Sequence, residues 1–353
     1  MPTENKLSAN FPPAIAGGNK RGGAVFVNGI DLKNEDRPDV SVVIVNTNTR
    51  HLLIPCLNSL FDNTRQTSLE VWVVDNNSND SSVEAVRTEF PQVKLIVNDR
   101  NRGFTEANNQ AIPHCLGQYI YCLNPDTLVL DRAVDILTDF MNQHPECGAV
   151  GSNLLNPDMT LQPTCRAFIT PGWMILKHFF PRKFFPKLAG QWFPEFSPHD
   201  RIREVDWMIG ASIMVRRETI KEVGLKDERY FIFHEETDWC YQIKKAGWKI
   251  FFVPEARIIH YGGQTVSQMW GHKVILEYYK GKHLFLKKNF GTTALLIHRL
   301  FLGSLLSIRL IIGWLKRCLP RKNPEEWQQQ KSFLIQGIKL QIHPDFSHAV
   351  PPK

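Results

Sequence analysis

The chain has 353 residues, of which 43% are hydrophobic, and its lysines and arginines exceed its aspartates and glutamates by 42 − 35 = 7. This length suits one large α/β domain with appendages, and the apolar content is sufficient for a sizeable core. The basic excess suits an anionic partner, whether a nucleotide, a phospholipid surface or a nucleic acid. The seven cysteines form no CxxC pair, which argues against a zinc or disulfide framework and predicts reduced thiols in a cytosolic compartment.

The first half of the chain alternates predicted strands and helices. Residues 1–38 are polar, contain no signal-peptide-like apolar segment and are predicted to be mostly disordered. The β-branched run Val40–Val45 is typical of a buried parallel strand, and helical spacing follows it. Three more strand–helix pairs are predicted within 69–90, 93–112 and 117–144. This alternation predicts an α/β fold with a doubly wound, mostly parallel sheet flanked by helices.

The second half of the chain is less regular. Residues 173–196 mix aromatic, basic and proline side chains, which predicts a long loop with short helices. A strand and a helix are predicted within 205–224, and the apolar run 230–233 is predicted to be a strand that leads into a further helix. We expect the main domain to cover 39–270. A basic helical extension over 271–320 and a polar tail over 321–353 complete the predicted organisation.

Polar side chains follow three of the predicted strands. In open parallel sheets, ligands bind at the carboxyl ends of the strands. Each of these residues alone is an ordinary turn former, but three successive pairs on one edge predict a ligand site: Asn46 with Asn48, Asp75 with Asn76, and Asn124 with Asp126. Asp75 suits a base N–H or a ribose hydroxyl, and Asp126 suits a divalent metal shared with phosphates. A phosphate or sugar contact is also predicted before the next helix, at Arg100, Arg102 and Gly103.

A cluster of acids follows the apolar run 230–233. His234, Glu235, Glu236 and Asp238 lie directly after it and before Trp239. Such a cluster could supply a general base, or it could be the capped start of a helix with a solvated acidic face. The chain lacks GxGxxG, GxxxxGK[ST] and helix-turn-helix or finger patterns. These absences argue against a dinucleotide dehydrogenase, a P-loop NTPase and a nucleic-acid-binding protein.

Six ordered blocks of sequence resemble the family 2 glycosyltransferases, and in particular their bacterial rhamnosyltransferase-like branch. The blocks lie in order between about residues 40 and 268 and read VSVVIVNTN, VWVVDNNSNDSS, NRGFTEANNQ, LNPDT, VDWMIGASIMVRRE and FIFHEETDWCYQIKKAGWKIFFVPEARIIHYGGQT. The resemblance implies a GT-A fold and a nucleoside-diphosphate-sugar donor. It also implies a divalent metal, Mg²⁺ or Mn²⁺, and inversion at the anomeric carbon.

The resemblance also implies roles for individual residues. Glu236 takes the position of the catalytic base, with Glu235 and Asp238 as alternatives within the same cluster, and Asp126 and His260 take the metal site. The donor side comprises Asn46, Asn48, Asp75, Asn76, Arg100, Asn101, Gly103 and Asn124, and the predicted acceptor side comprises Asp206, Trp207, Gly210 and Ala211. The chain departs from the family pattern at three positions. Asn124 replaces the first carboxylate of the DxD motif, Glu236 replaces the usual Asp, and Gln242 stands where the branch often has Arg.

An apolar stretch over 294–319 is long enough to suggest a membrane span, which needs about 20 predominantly apolar residues. Arg309 interrupts it, and at about 100° per residue the basic side chains share one arc: His298, Arg299, Arg309, Lys316 and Arg317. The opposite arc is apolar and contains Leu300, Ile308, Ile311, Trp314 and Leu315. We predict that this helix lies on an anionic membrane surface. Spanning the bilayer and packing on the catalytic domain or on a partner are the alternatives.

Together these features predict a cytoplasmic, peripherally membrane-bound and metal-dependent hexosyltransferase. It would transfer a sugar, with rhamnose the one that the resemblance suggests, to a glycan or a lipid-linked acceptor in surface polysaccharide synthesis. Two alternatives have other functions. A nucleotide-sugar-binding regulator without catalysis would keep its role after loss of the base, and a sugar nucleotidyltransferase would release pyrophosphate.

Overall fold

The computed structural model describes residues 37–168, 197–262, 273–315 and 324–343, together with Thr170, Gly172 and Phe193. The disorder predicted for the N-terminal segment, and the loop with short helices predicted over 173–196, therefore fall almost entirely outside the described residues.

Strands and helices alternate through the first half of the chain, as predicted. The strands are β1 (Val40–Asn46), β2 (Leu69–Asp75), β3 (Lys94–Val97), β4 (Tyr119–Leu123), β5 (Thr127–Val129), β6 (Cys147–Leu155), β7 (Cys165–Arg166), β8 (Arg203–Glu204), β9 (Trp207–Met208), β10 (Ser212–Arg216) and β11 (Lys249–His260). The helices are α1 (Arg50–Asn63), α2 (Ser82–Glu89), α3 (Phe104–Ala111), α4 (Ala133–Gln143), α5 (Arg217–Val223), α6 (Glu235–Lys245), α7 (Lys273–Leu315) and α8 (Pro324–Ile342).

The main sheet is mixed but mostly parallel in its first half. Its strand order is β3-β2-β1-β4-β10-β6-β11-β5, with β8 paired to β11. Strands β3, β2, β1 and β4 are parallel to one another, and β6 and β11 are also parallel. Strand β10 runs antiparallel between β4 and β6. The doubly wound parallel arrangement predicted from the sequence is therefore confirmed for the part that carries the polar strand ends.

Helices cover both faces of this sheet, which explains why its strands are apolar throughout. Along β1, Val40, Val42 and Ile44 belong to one buried cluster. Val43 and Val45, which point the opposite way because side chains alternate along a strand, belong to another. Helices α1, α2 and α4 complete the first cluster, and α3, α5 and α6 complete the second. Full burial of one such side chain contributes about 1.5–3 kcal/mol.

Two local predictions were wrong or incomplete. Residues 230–233 do not form a strand, because the chain bends there and Phe233 and His234 both have a φ of 66°. That conformation is left-handed, whereas a strand needs extended backbone. The sequence analysis also did not anticipate β6, which lies between β10 and β11 in the sheet. The six cysteines in the described part of the chain are free and buried, as expected for reduced thiols.

The C-terminal extension is a pair of packed helices. Helix α7 bends at Gly291, whose φ of 83° and ψ of 177° are not helical. Helix α8 lies within the predicted polar tail, where the sequence analysis did not anticipate a helix. It packs against the second half of α7 through a small apolar cluster that includes Leu302, Leu306 and Leu334. The extension is therefore folded onto itself as well as onto the main domain.

Candidate active site

The ends of β1 and β2 are joined by their polar side chains. Asn46 Nδ2 donates to Asp75 Oδ2 at 2.9 Å, and the backbone N–H of Ser78 donates to Asp75 Oδ1 at 2.8 Å. Asn48 has a φ of 52° and accepts a hydrogen bond from the backbone of Asn79 at 2.7 Å. Parallel pairing places the two strand ends in register, which brings these residues together. Each Asp75 oxygen keeps a second lone pair that could accept a hydrogen bond from a ligand.

The loop before α3 is attached to this edge through Asn76. Asn76 Nδ2 donates to the carbonyl of Gly103 at 3.0 Å, and Asn101 Oδ1 accepts from the backbone N–H of Gly103 at 2.9 Å. Gly103 has a φ of 87°, and a Cβ there would lie 2.7 Å from a ring atom of Phe231. Only glycine fits this close approach. The exposed Arg100 lies in the same loop, so the structure places the predicted donor residues along one edge.

Asp126 and His260 meet where β4 ends and β11 ends. Asp126 Oδ1 lies 3.4 Å from His260 Nε2, and both residues are buried. His260 Nδ1 lies 2.6 Å from Gln162 Oε1, and this contact requires Nδ1 to carry the proton and donate it. In the tautomer that carries a proton on Nδ1 alone, Nε2 and the Asp126 carboxylate would face each other as two acceptors, and a cation between them would satisfy both.

Asn124 lies two residues before Asp126, and its side chain is half-buried. Its Oδ1 has no hydrogen-bond partner among the described residues. In the described part of the chain, no group of three or more His, Cys, Asp or Glu side chains could hold a metal ion by itself. The residues therefore fit a divalent cation that is bound by one or two protein ligands and completed by substrate phosphates, as is usual for Mg²⁺.

The acid cluster begins helix α6, and the bend before it replaces the predicted strand. The ring of His234 lies against Tyr278 and Phe285 of α7, and burial lowers the pKa of His234 to about 3. Burial also raises the pKa of both Glu235 and Glu236, and the charge of Glu235 raises the pKa of Glu236 further. A carboxylate with a raised pKa is a stronger base near neutral pH than an exposed one.

A two-residue segment joins the acids to the Asn124–Asp126 turn. A Cβ built on Gly210 would lie 3.3 Å from the Cβ of Glu236, so Gly210 lies directly against this acid. The carbonyl of the neighbouring Ala211 accepts a hydrogen bond from the backbone N–H of Asn124 at 2.9 Å. The segment Gly210–Ala211 therefore has Glu236 on one side and the turn that leads to Asp126 on the other.

The other predicted acceptor residues already have partners within the protein. Asp206 accepts hydrogen bonds from the backbone of Phe168 at 2.9 Å and from Lys244 at 3.1 Å. The indole N–H of Trp207 donates to the carbonyl of Ala167 at 3.0 Å. These contacts hold β9 and the residue before it next to α6. An acceptor-binding role for these two residues stays a prediction.

The side chain of Asp238 forms its hydrogen bonds with residues of α7. Lys288 Nζ donates to Asp238 Oδ2 at 2.6 Å, and Asn289 Nδ2 donates to Asp238 Oδ1 at 2.8 Å. Gln242, which stands at the family's usual arginine position, donates to Asn289 Oδ1 at 3.0 Å. Asp238 thus joins α6 to α7, which favours a structural role over its predicted catalytic one. The sequence analysis missed Lys288, Asn289 and Gln162, because all three are far along the chain from the residues that they contact.

The mixed sheet with helices on both faces has the GT-A fold. Among solved structures, a mannosyltransferase from Pyrobaculum calidifontis, in complex with GDP-Man and Mn²⁺, matches this fold with a TM-score of 0.51 and 16% identity. The match covers 87% of this chain and 88% of that one.

Comparison of sequences gives the family. The family model described as glycosyl transferase family 2 matches residues 41–197. An N-acetylglucosaminyl-diphospho-decaprenol L-rhamnosyltransferase of Mycobacterium tuberculosis is 29% identical over 216 residues, which are 57% of this chain and 69% of that protein. A dTDP-rhamnosyl transferase of Shigella flexneri, RfbF, is 24% identical over 268 residues, which are 73% of this chain and 83% of that protein. These matches confirm the resemblance to the family 2 glycosyltransferases and to their rhamnosyltransferase-like branch.

Proposed function

We propose that this glycosyltransferase moves rhamnose from a nucleoside diphosphate to a lipid-linked glycan acceptor, with inversion at the anomeric carbon. The names of the relatives from Mycobacterium tuberculosis and Shigella flexneri support the sugar, and the first of them supports a diphospholipid acceptor. The observation that carries the mechanism is the position of Gly210–Ala211 between Glu236 and Asn124. Glu236, whose Oε2 is buried, thus lies close to the turn that carries Asp126, which supports a single base beside the leaving group, as an inverting transfer requires.

In this mechanism Glu236 accepts the proton of the acceptor hydroxyl while that oxygen attacks the anomeric carbon. Its Oε2 has no hydrogen-bond partner among the described residues, so the lone pairs of this oxygen are not used within the described part of the protein. Asp126 and His260 would hold the divalent cation, with Gln162 fixing the histidine ring. When bound there, such a cation offsets the negative charge that develops on the departing nucleoside diphosphate.

The test is release of nucleoside diphosphate from a panel of dTDP-, UDP- and GDP-sugars, with Mg²⁺ or Mn²⁺ and an N-acetylglucosaminyl-diphospholipid acceptor. We expect turnover with one donor, its loss in EDTA, and a fall of about 10²–10⁴ in Glu236→Gln with donor binding retained. Glu236→Asp, which keeps a carboxylate, should retain part of the activity. Normal turnover by Glu236→Gln contradicts the assignment of the base, and release of pyrophosphate from a nucleoside triphosphate indicates a nucleotidyltransferase instead.

We also propose that the second half of α7 lies on a membrane surface. By length and composition alone, the part Leu276–Leu315 of α7 could cross a membrane, and 22% of its most apolar window is buried. Its exposed apolar residues include Leu300, which is 72% exposed, and Trp314, which is 61% exposed; Ile308, Ile311 and Leu315 are exposed with them. Exposure of an apolar surface of this kind to water is unfavourable, so a membrane or another partner is expected to cover it.

The basic stripe predicted beside this apolar face needs correction. His298 is buried near His283, and Arg299 donates to the carbonyl groups of Gln341 and Ile342 at 2.6 and 2.8 Å. Helix α8 covers this side, so neither residue faces a membrane. Arg309 is exposed, and Lys316 and Arg317 lie outside the described residues. The pairing of α7 with α8 along this stretch favours a helix that lies on the surface over one that crosses the bilayer.

Vesicle flotation tests this position. The double variant Ile311→Glu with Trp314→Glu should lose binding to vesicles of anionic and neutral phospholipid, because it places charge within the apolar face. Leu116→Glu, a change at a residue of the main domain that is 42% exposed, is the matched control and should bind normally. Equal binding of all three proteins contradicts the proposal. Resistance of the wild-type protein to carbonate extraction would show instead that the helix spans the bilayer.

A further inference from the structure

A buried lysine packs against Trp239 of α6, the helix that begins with the acid cluster. Lys226 is 5% exposed, and its backbone carbonyl accepts a hydrogen bond from Asn109 Nδ2 at 2.8 Å, which ties the loop between α5 and α6 to α3. Its Nζ lies 5.2 Å from the ring centroid of Phe104 and 5.3 Å from that of Trp239. Both distances fall in the range of cation–π contacts, which are strongest when the cation is desolvated. The side chain is therefore fixed in an enclosed position.

This ammonium group has no hydrogen bond or ion pair with any described residue. A buried cation is costly unless negative charge lies nearby. Besides Asp227 and Glu228 of the same loop, negative charge is available from Glu235 and Glu236, at the start of the helix whose Trp239 ring lies against the ammonium group. Each of these acids has an Oε2 without a hydrogen-bond partner in the described part of the chain. The charge of Lys226 acts on both carboxyl groups.

Two adjacent carboxyl groups, each with a buried oxygen, pose a problem for a general base. Ionising both is opposed by burial and by mutual repulsion, while protonating both leaves no base. One buried positive charge balances one negative charge on the pair. We propose that Lys226 is a positioning residue for catalysis, which keeps the Glu235–Glu236 pair singly ionised so that it can accept the proton of the acceptor. This inference rests on the proposed role of Glu236 as the base.

The other titratable groups that face the pair are neutral over the range in which a transferase is assayed. Burial, and then the charge of Glu236, raise the pKa of Cys240 and of Tyr278 to about 12. Burial lowers the pKa of His234, the residue before the pair, to about 3. Lys226 is therefore the cation in the described structure whose removal should change the ionisation of the pair.

The test is the pH profile of kcat/KM for Lys226→Met, with the donor and acceptor that the wild-type enzyme uses. A base acts when it is deprotonated, so activity rises with pH, and loss of a nearby positive charge moves that rise to higher pH. We expect an upward displacement of about one unit, which is about a tenfold loss of kcat/KM on the acid side that disappears at high pH. Lys226→Arg keeps the charge and should keep the wild-type profile. Lys221→Met removes an exposed lysine from α5 and should also leave it unchanged.

Binding of the nucleoside diphosphate, measured by calorimetry, serves as the check that each variant is folded, and Lys226→Gln replaces Lys226→Met if the latter is not. An active variant with an unmoved acid limb overturns the inference, whatever its maximal rate, because a purely structural role lowers activity at every pH. A displacement to lower pH overturns it as well. Absence of turnover in the wild-type protein, or full activity in Glu236→Gln, would instead contradict the proposed function itself.

Discussion

Lys288 of α7 forms the contact whose removal tests the role of Asp238 most directly. Its Nζ lies 2.6 Å from Asp238 Oδ2, and Asp238 is 2% exposed, whereas the lysine side chain is 26% exposed. Removing one partner of a buried ion pair costs about 3–5 kcal/mol, because the remaining charge stays buried without compensation. Since Lys288 is partly exposed and Asn289 still donates to Asp238, we expect Lys288→Met to cost about 3 kcal/mol, at the lower end of that range.

Urea denaturation followed by tryptophan fluorescence measures this free energy of unfolding. A loss of about 3 kcal/mol corresponds to roughly 6–12 °C in the melting temperature, from about 2–4 °C per kcal/mol for domains somewhat smaller than this one. Lys245→Met, which removes an exposed lysine from α6, is the matched control and should stay within about 0.5 kcal/mol of the wild type.

A double-mutant cycle with Asp238→Asn separates this contact from other effects. If the two residues interact as the distance indicates, the loss of unfolding free energy in the double variant should be about 2 kcal/mol smaller than the sum of the two single losses. Turnover, corrected for the folded fraction, should change little in Asp238→Asn. Additive losses would show that the pair is not coupled. Loss of turnover at full stability in Asp238→Asn would show that this residue, not Glu236, takes part in the chemistry.

Two further variants test the donor loop and the acid stability of the fold. Gly103→Ala should cost more stability than Gly224→Ala, since both glycines have a positive φ but only Gly103 has Phe231 within 2.7 Å of the added Cβ; equal losses in urea denaturation would contradict this reason. Asp227→Asn should flatten the decline of stability in acid. Burial opposes ionisation of Asp227, but hydrogen bonds from Arg229 and Lys288 outweigh it and hold its pKa below the usual range. A depressed folded pKa stabilises the protein above the unfolded pKa of about 3.9, and this contribution is lost as pH falls below that value. Urea midpoints between pH 3 and 7 measure it, and an unchanged decline would exclude the contact as its source.

The polar edge formed by the ends of β1 and β2 was predictable from the sequence because two local signals coincide there. β-branched runs such as Val40–Val45 mark buried strands, and a polar residue directly after such a run therefore marks the end of a strand. Parallel pairing then brings Asn46 and Asp75 together without any further information. The acids were likewise visible as a cluster in the sequence.

Contacts between distant segments could not be predicted in the same way. Gln162 and His260 are 98 residues apart, and Asp238 and Lys288 are 50 apart, with no local pattern that pairs them. The bend at Phe233 and His234 was missed for a different reason. An apolar aromatic run has high strand propensity, but here Phe231 packs on Gly103 and the tertiary contact decides the backbone conformation.

The C-terminal helices connect the proposed membrane face to the acid cluster through contacts on both sides of the bend at Gly291. Before the bend, Tyr278 and Phe285 pack on His234, the residue that precedes the acids. Gln341 of α8 spans the bend. Its Oε1 accepts from His283 Nε2 at 2.9 Å, and its backbone carbonyl accepts from Arg299 Nε at 2.6 Å. Because α8 thus holds both halves of α7, the bend has a fixed geometry. If the exposed face of α7 lies on a membrane as proposed, the height of Glu236 above that surface is set by the fold, and a lipid-linked acceptor would meet the base at a defined distance from its anchor.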